Sequence, residues 1–153
     1  MKITLVEACV FRRTGAEILF LLLKRKSRNY EGLWQGISGK IKKNEKAWET
    51  ALRELQEETG LKASSIFTAD YVSTFYEAFQ DRIIQIPVFG IEVDSDVVKL
   101  SSEHSEFQWV KLGKALKLLT WRGQREALEN VAEMLKSQDE RLRWSYIKPD
   151  QKT

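Results

Sequence analysis

The sequence predicts an α+β fold, a mixed β-sheet with helices packed on it. Three observations carry that expectation: two apolar strand-length runs near the N-terminus, a central segment of helical periodicity, and a second set of strands followed by a second helical segment. The 153 residues fit one domain and can bury a core without disulfides or a structural metal. A composition of 42% hydrophobic and 31% charged residues, with 8 Gly and 2 Pro, excludes disordered, collagen-like and coiled-coil chains.

The elements follow in order. Residues 3–11 and 17–24 read as strands, separated by a turn signal at Thr14-Gly15. Residues 27–39 contain three glycines and read as a loop with a short strand near its end. Residues 45–59 read as a helix, with Asn44 as N-cap, Glu45 and Glu49 in the first turns, and Gly60 as the C-terminal stop. Its buried face is Trp48, Ala51, Leu52 and Leu55, which recur at helical spacing. Strands are expected at 70–79 and 83–93, and Pro87 inside the second marks an edge or a bulge. Phe75, Tyr76 and Phe79 are placed as strand residues, some facing the core and one a candidate to line a pocket. A short strand at 106–111, a short helix near 113–119 and a longer helix around 122–136 complete the set. Leu128, Val131, Met134 and Leu135 give the longer helix its core face. From Ser137 the chain is charged and loosely held, with Trp144, Tyr146 and Ile147 hinting that part of it docks.

Several function classes drop out. The single cysteine, Cys9, cannot form an internal disulfide and reads as a small buried hydrophobe in a strand. The longest apolar run, Ile18 to Leu23, is strand length and cannot span a membrane. The N-terminus has a glutamate in its middle and no small-residue cleavage site, which argues against a signal peptide, so the expected location is cytoplasmic. A net charge of +3 is too small to argue for nucleic acid. The basic residues are clustered, however, at Lys24, Arg25, Lys26 and Arg28 and again at Lys40, Lys42 and Lys43. They read either as solvated loop faces or as phosphate-facing groups.

The densest chemical signal is in the central helix and the loop before it. Glu54, Glu57 and Glu58 stand at i, i+3 and i+4, which puts three carboxylates on one helix face. Such like charges raise one another's pKa, and a hard divalent cation relieves the repulsion. Three glutamates alone could equally be a solvated acidic face, with Glu57 paired to Arg53. The surroundings decide the matter. Gly39, Glu45, Arg53-Glu54-Leu55, Glu57-Glu58 and Gly60-Leu61 satisfy the pattern G-x5-E-x7-R-E-U-x-E-E-x-G-U without a gap, U being a bulky aliphatic residue. Chance agreement is on the order of one in a billion per window at ordinary residue frequencies.

This pattern resembles that of the Nudix hydrolases, and the likeness covers most of the chain. The resemblance implies the Nudix fold, a mixed β-sheet sandwiched between α-helices with the motif as loop–helix–loop. It also implies Mg2+-dependent hydrolysis of a pyrophosphate bond, with Mn2+ as a substitute. By that resemblance Glu57 and Glu58 look like metal ligands, and the carbonyl of Gly39 like a further one. Glu54 looks like a ligand or the general base, Arg53 like the residue that orients a catalytic glutamate, and Glu45 like the tie that holds the loop to it. Glu103 in the stretch SSEHSEFQWV best matches a family pattern E-H-x-x-F/Y-x-W, as an added ligand or the base, with Glu106 second. His104, the only histidine, reads as a surface or packing residue beside it. Arg25 is the candidate cation for the leaving phosphate. Trp34 and Gln35 match a W-Q pair in similar enzymes and are candidates for substrate contact, Trp34 being equally a core residue.

The stretches WQGISG, E-H-x-x-F-x-W and LLTWRGQREALENV look like the branch of dihydroneopterin triphosphate and dATP pyrophosphohydrolases, with Trp121, Arg122, Gln124 and Arg125 as the matching positions. That branch releases pyrophosphate from a nucleoside triphosphate-like small molecule. The asymmetric diadenosine tetraphosphate hydrolases share the E-H-x-x-aromatic-x-W stretch and are the alternative. A non-catalytic Nudix-fold sensor or RNA-binding module is the alternative of another class, disfavoured by the intact motif. No membrane or nucleic-acid partner is expected, and the chain is a monomer or a homodimer.

Overall fold

The computed structural model describes residues 2–137 and 140–149. In chain order these form strands β1 (Leu5–Thr14), β2 (Glu17–Arg25), β3 (Trp34–Gln35) and β4 (Ile37–Lys40), helix α1 (Ala47–Thr59), strands β5 (Ala63–Glu77), β6 (Arg82–Val93) and β7 (His104–Val110), and helices α2 (Leu112–Leu118), α3 (Arg122–Ser137) and α4 (Glu140–Ser145). The seven strands make one mixed sheet of order β3-β2-β1-β6-β5, with β4 joined to β1 and β7 to β2. Only β1 and β6 run parallel; the other pairings are antiparallel.

Strand β1 changes partner along its length. Leu5–Ala8 pair with β4, from Leu5↔Lys40 to Ala8↔Ile37, whereas Phe11–Thr14 pair with β2, from Phe11↔Phe20 to Thr14↔Glu17. Between Ala8 and Phe11 the two partner strands diverge, and the sheet forks there.

Alternation along β1 divides its side chains between two cores. Val6, Ala8 and Val10 join Leu21, Leu23, Ile37 and Ile91 beneath α1, which contributes Ala51 and Leu55. Phe11 joins Phe20, Leu22, Phe67 and Val88 on the opposite face, covered by α2 and α3 through Ala115, Leu128, Val131, Met134 and Leu135. The sheet is thus sandwiched between helices, as expected. Trp48 and Leu52 are half-buried against the α1 core rather than fully enclosed.

The structure moves several expected boundaries. Helix α1 begins at Ala47, two residues later than expected, and its N-cap is Lys46 rather than Asn44. The Glu49 carboxylate accepts the Lys46 N–H at 2.9 Å, while Asn44 takes a left-handed turn at φ 66°. Glu45 therefore lies outside the helix and is free to reach back along it. At the other end Gly60, at φ 73°, stops the helix as expected.

Strand β5 begins at Ala63 rather than near residue 70. Its register against β6 slips between Ala63 and Ser65 and again between Thr68 and Val72, which breaks the alternation from which a strand is read. Pro87 sits opposite Val72, at the second irregularity, so the bulge expected around it is present in the partner strand. The local edge is present as well: β6 lies between β1 and β5 only from Val88 onward, and Pro87 stands in the part of β6 that pairs with β5 alone. The β1 pairing starts at Val88, one residue beyond the proline, where a missing N–H costs that ladder nothing.

Beyond that point β5 and β6 continue as a hairpin without a third strand. Phe75, Tyr76 and Phe79 lie on this extension and are all exposed, Phe79 at 97%, contrary to the expectation that some face the core. The tail docks in part: Tyr146 packs edge-on against Phe67 at 5.8 Å, and the Ile147 N–H donates to the Ile66 carbonyl at 2.9 Å. Trp144 remains exposed.

Candidate functional site

The site forms where α1 crosses the end of β4 and meets the loop leading into β7. The central organiser is Arg53. Its Nε and Nη2 form a fork on Glu45, at 2.7 and 2.9 Å. Nη1 bonds Glu54 at 2.8 Å and Glu57 at 3.2 Å, and Nη2 also reaches the Lys40 carbonyl at 3.0 Å. Five guanidinium N–H groups thus meet five acceptors, a planar arrangement that only arginine offers. Glu45 is completed by the Thr50 hydroxyl at 2.6 Å and the Lys42 N–H at 3.1 Å. These bonds hold its carboxyl down at about 2, the Arg53 hydrogen bond being the largest cause. The same partners raise the Arg53 pKa further above its already high value.

The three helix carboxylates separate into two environments. Glu57 stands at the rim, with about half of its side chain exposed, and pairs with Arg53. Glu54 and Glu58, one turn apart, turn inward. Gly39 lies directly over Glu54: a Cβ there would come within 2.3 Å of Glu54 Cγ, so only glycine lets the chain and this carboxylate share the space.

Glu58 is buried at 4% exposure, and its Oε2 has no hydrogen-bond partner among the described residues. Its carboxyl is pushed up to about 9, first by burial, then by the charge of Glu54 and a hydrogen bond shared with it, then by Glu103, with Arg25 opposing. A buried carboxylate among like charges must hold a proton or a cation.

The loop before β7 supplies the other half. Glu58, Glu103 and His104 each present a ligand-type atom, and these atoms lie within 4.8 Å of one another. Glu103 is positioned by backbone, its carbonyl accepting the Lys26 N–H at 2.9 Å. His104 is buried, with a ring nitrogen 3.1 Å from the Gln35 amide nitrogen and, among the described residues, no partner for Nδ1. Burial lowers its pKa most, with Glu103 opposing and Arg25 assisting, so the ring is neutral at pH 7. Of the two expected roles the surface one is ruled out, since His104 is enclosed; its ring also lies with the acid cluster. A lone histidine carries no periodicity, and nothing in the sequence announces its burial.

The remaining expected residues take the following places. Arg25 pairs with His104 across β2 and β7 and holds its own loop, donating from Nε to the Asn29 carbonyl at 2.8 Å and from Nη2 to Ser27 Oγ at 2.6 Å. Glu106 is drawn into an exposed ion pair with Lys24 at 3.0 Å, away from the cluster. Lys24 also lies 5.9 Å from the Trp34 ring centre, and Trp34 packs against the α3-side core. Arg122 pairs with Glu126, and Arg125 bonds the Leu119 and Thr120 carbonyls. Trp121 is half exposed and meets Tyr30 edge-on at 5.9 Å. Cys9 is half-buried, its thiol pushed up by burial and by Glu7.

Glu7 was not singled out from the sequence beyond its place in the N-terminal run. Burial pushes its carboxyl up to about 7. The available signal was a charge inside an otherwise apolar strand.

These shifts set a pH dependence for the metal-free protein. Glu58 and Glu7 keep protons in the folded state that the unfolded chain releases above about 4.5, so stability falls as pH rises from about 4.5, until about 7 for Glu7 and about 9 for Glu58. Glu45 acts oppositely: its contribution is complete above 4.5 and is lost as pH falls toward about 2. The melting temperature in EDTA is therefore expected to peak near pH 5 and to drop by about 5 °C toward pH 9. A midpoint that climbs steadily across that range would contradict the burial assigned to Glu58.

Comparison with known proteins gives a consistent picture. The family model described as NUDIX domain matches residues 3–131. The chain is 33% identical over 129 residues to a Myxococcus xanthus protein named octanoyltransferase, a match covering 82% of this chain and 36% of that one, so the chain spans about a third of that relative. It is 30% identical over 135 residues to the rat (Rattus norvegicus) asymmetrical bis(5'-nucleosyl)-tetraphosphatase, covering 82% of this chain and 90% of that protein. It is 32% identical over 108 residues to the Haemophilus influenzae dihydroneopterin triphosphate diphosphatase, covering 63% and 68%. Among solved structures, a Nudix hydrolase from Listeria monocytogenes superposes with a TM-score of 0.76 at 28% identity, covering 90% of this chain and 97% of that one.

Proposed function

The chain belongs to the Nudix family, whose domain spans residues 3–131, and from that premise we propose that it hydrolyses a pyrophosphate bond in a nucleoside triphosphate-like small molecule of the dATP or dihydroneopterin triphosphate type, giving a monophosphate and pyrophosphate. The observation that carries the reading is Glu58, buried with an unpartnered oxygen beside Glu54, Glu103 and His104. Such a group fits a divalent cation, magnesium by preference and manganese as a substitute, held by Glu54, Glu57, Glu58, Glu103 and the Gly39 carbonyl. When bound, the cation supplies charge against the pyrophosphate oxygens and lowers the pKa of a coordinated water.

The chain's own residues do the rest. Arg53 fixes the Glu54 carboxylate through Nη1, so that Glu54 is presented in one orientation to take a proton from the attacking water. Glu103 is the second candidate for that proton, and its backbone anchor to Lys26 sets its reach. Arg25, which lies close enough to influence Glu58, offers positive charge to the departing phosphate. Trp34 and Gln35 are the candidates for substrate contact; as neighbours in β3 they face opposite sides of the sheet, Gln35 bonded to His104 and Trp34 against the α3-side core.

Glu103 and Glu106 make a direct test. Glu103→Gln is expected to lower kcat by more than about tenfold, and Glu106→Gln by less than about threefold, because only Glu103 lies in the acid cluster. Steady-state rates at saturating magnesium would read this, and the reverse order moves the base to Glu106.

The alternative is asymmetric cleavage of a dinucleoside tetraphosphate, favoured by the rat relative, whose match covers more of both chains. A substrate panel with magnesium and separated products decides between them. Pyrophosphate with a monophosphate supports the triphosphate reading; ATP with AMP from the dinucleotide supports the alternative. Tight binding of a candidate with no turnover of any would point to a non-catalytic sensor.

A further inference from the structure

The hairpin that β5 and β6 form beyond the Val72↔Pro87 pair has two unlike faces. On the side toward α3, Ser73, Ile84 and Ile86 are buried, and Gly123 of α3 abuts Ser73 so closely that an added Cβ would come within 2.7 Å of its Oγ. By alternation the other face consists of Val72, Thr74 and Tyr76 from β5 and Ile83, Gln85 and Pro87 from β6. It lies on the side of β6 that farther along carries Phe89 and Ile91 into the α1 core. Here the side chains stay in solvent, Val72, Tyr76 and Ile83 being 52%, 60% and 69% exposed.

The composition of this face is that of an interior. None of its six residues is charged, whereas solvated sheet surfaces carry charge that opposes association. Two apolar cross-strand pairs, Val72↔Pro87 and Tyr76↔Ile83, flank the polar pair Thr74↔Gln85, and Phe79 adds its exposed ring at the turn. The polar groups beside the face are already satisfied locally. The Tyr76 hydroxyl donates to Asp81 at 2.7 Å, and Arg82 pairs with Glu77 at 2.8 Å. Covering the face therefore strands neither a hydroxyl nor a charge.

These features fit a second copy of the chain. An anionic membrane or a charged partner needs unpaired charge beside the apolar stripe, and Glu77, Asp81 and Arg82 are engaged within the hairpin. An uncharged stripe is complementary to itself. A two-fold axis running across the strands at Thr74 and Gln85 sets the Val72↔Pro87 end of one hairpin over the Tyr76↔Ile83 end of the other, and closes the contact. The exposed parts of Val72, Tyr76, Phe79 and Ile83 amount to roughly 500 Å², against about 800 Å² per partner in a stable pair, and Thr74, Gln85 and Pro87 supply more. We propose that two copies associate in solution through this face, hairpin on hairpin, with Val72, Tyr76, Phe79 and Ile83 as anchors.

Sedimentation equilibrium from about 1 to 100 µM reads the association. The wild type is expected to pass from monomer to dimer within that range. Ile83→Lys is expected to raise Kd by about tenfold or more, because it sets an unpaired charge inside the contact. Val97→Lys, at an exposed apolar residue between β6 and β7, is expected to leave Kd unchanged. A wild type that stays monomeric overturns the proposal, and its flotation with phosphatidylcholine vesicles would then assign the face to a lipid surface. A dimer that Ile83→Lys leaves intact, or that both variants weaken equally, overturns it as well. Should circular dichroism show Ile83→Lys unfolded, hydrogen exchange on the wild type decides. Slower exchange at residues 72–76 and 83–87 at the higher concentration supports the contact, and exchange independent of concentration overturns it. None of these measurements depends on hydrolysis.

Discussion

Glu58→Gln is expected to lower kcat by at least about a hundredfold at saturating magnesium while leaving the melting temperature of the metal-free protein unchanged or higher. The two effects have one origin. Glu58 is enclosed beside Glu54 and Glu103, where its negative charge costs desolvation and repulsion without a cation. An amide keeps the shape, relieves both costs, and cannot supply the anionic oxygen. Glu57→Gln is expected to lose activity on a similar scale for a different reason. Glu57 stands half exposed at the rim, and its value lies in a charge aimed beside the same site. Retention of more than a tenth of wild-type turnover in either variant, measured across a magnesium titration, would remove that residue from the ligand set. Loss of folding by circular dichroism would leave the question to metal affinity measured on the Glu54→Gln background, where the same ranking should reappear.

Arg53→Lys should give the next effect in size after the two ligand variants, a fall in kcat of about ten- to a hundredfold together with a loss of about 2 kcal/mol in stability. Lysine keeps the charge, yet its three donors cannot span Glu45, Glu54, Glu57 and the Lys40 carbonyl at once. Arg53 is only one-fifth exposed, so water does not replace the missing bonds freely. The loss in kcat without a matching rise in KM would mark a positioning role, because Arg53 acts through Glu54 rather than on substrate. Activity within about twofold of wild type, with the midpoint lowered, would reduce Arg53 to a structural tie.

How much of this was legible in the sequence depends on whether a feature repeats. The motif from Gly39 to Leu61 specifies residue types at fixed spacing, and the structure brings those positions together. Gly39 shows why the spacing is strict: it clears the volume that Glu54 occupies. Helical periodicity likewise foretold the faces of α1 and α3, because burial on one side is written every third or fourth residue. Single residues were not legible. Nothing around His104 distinguishes a buried ring from an exposed one, and Glu7 is one acid in a strand. The division of Glu54 and Glu58 from Glu57 was also hidden, since all three share a face by spacing and only Arg53 and the β7 loop decide which turn inward. In β5 the alternation breaks at Ile66-Phe67, both buried, between the two register slips that flank this stretch, so the first half of the strand had no signature. The exposed aromatics of the β5–β6 hairpin looked like core because hydropathy does not show where the neighbouring strand stops.

The parallel join between β1 and β6 has a consequence for synthesis. Glu7 is set against Val88, 81 positions later, so the floor on which α1 rests is incomplete until most of the chain has left the ribosome. The acidic helix is finished by Thr59, yet Glu103 and His104 emerge last among the cluster. A nascent chain stalled between those points carries its carboxylates on an unsupported surface, and divalent ions can steady the product only after the late segment arrives.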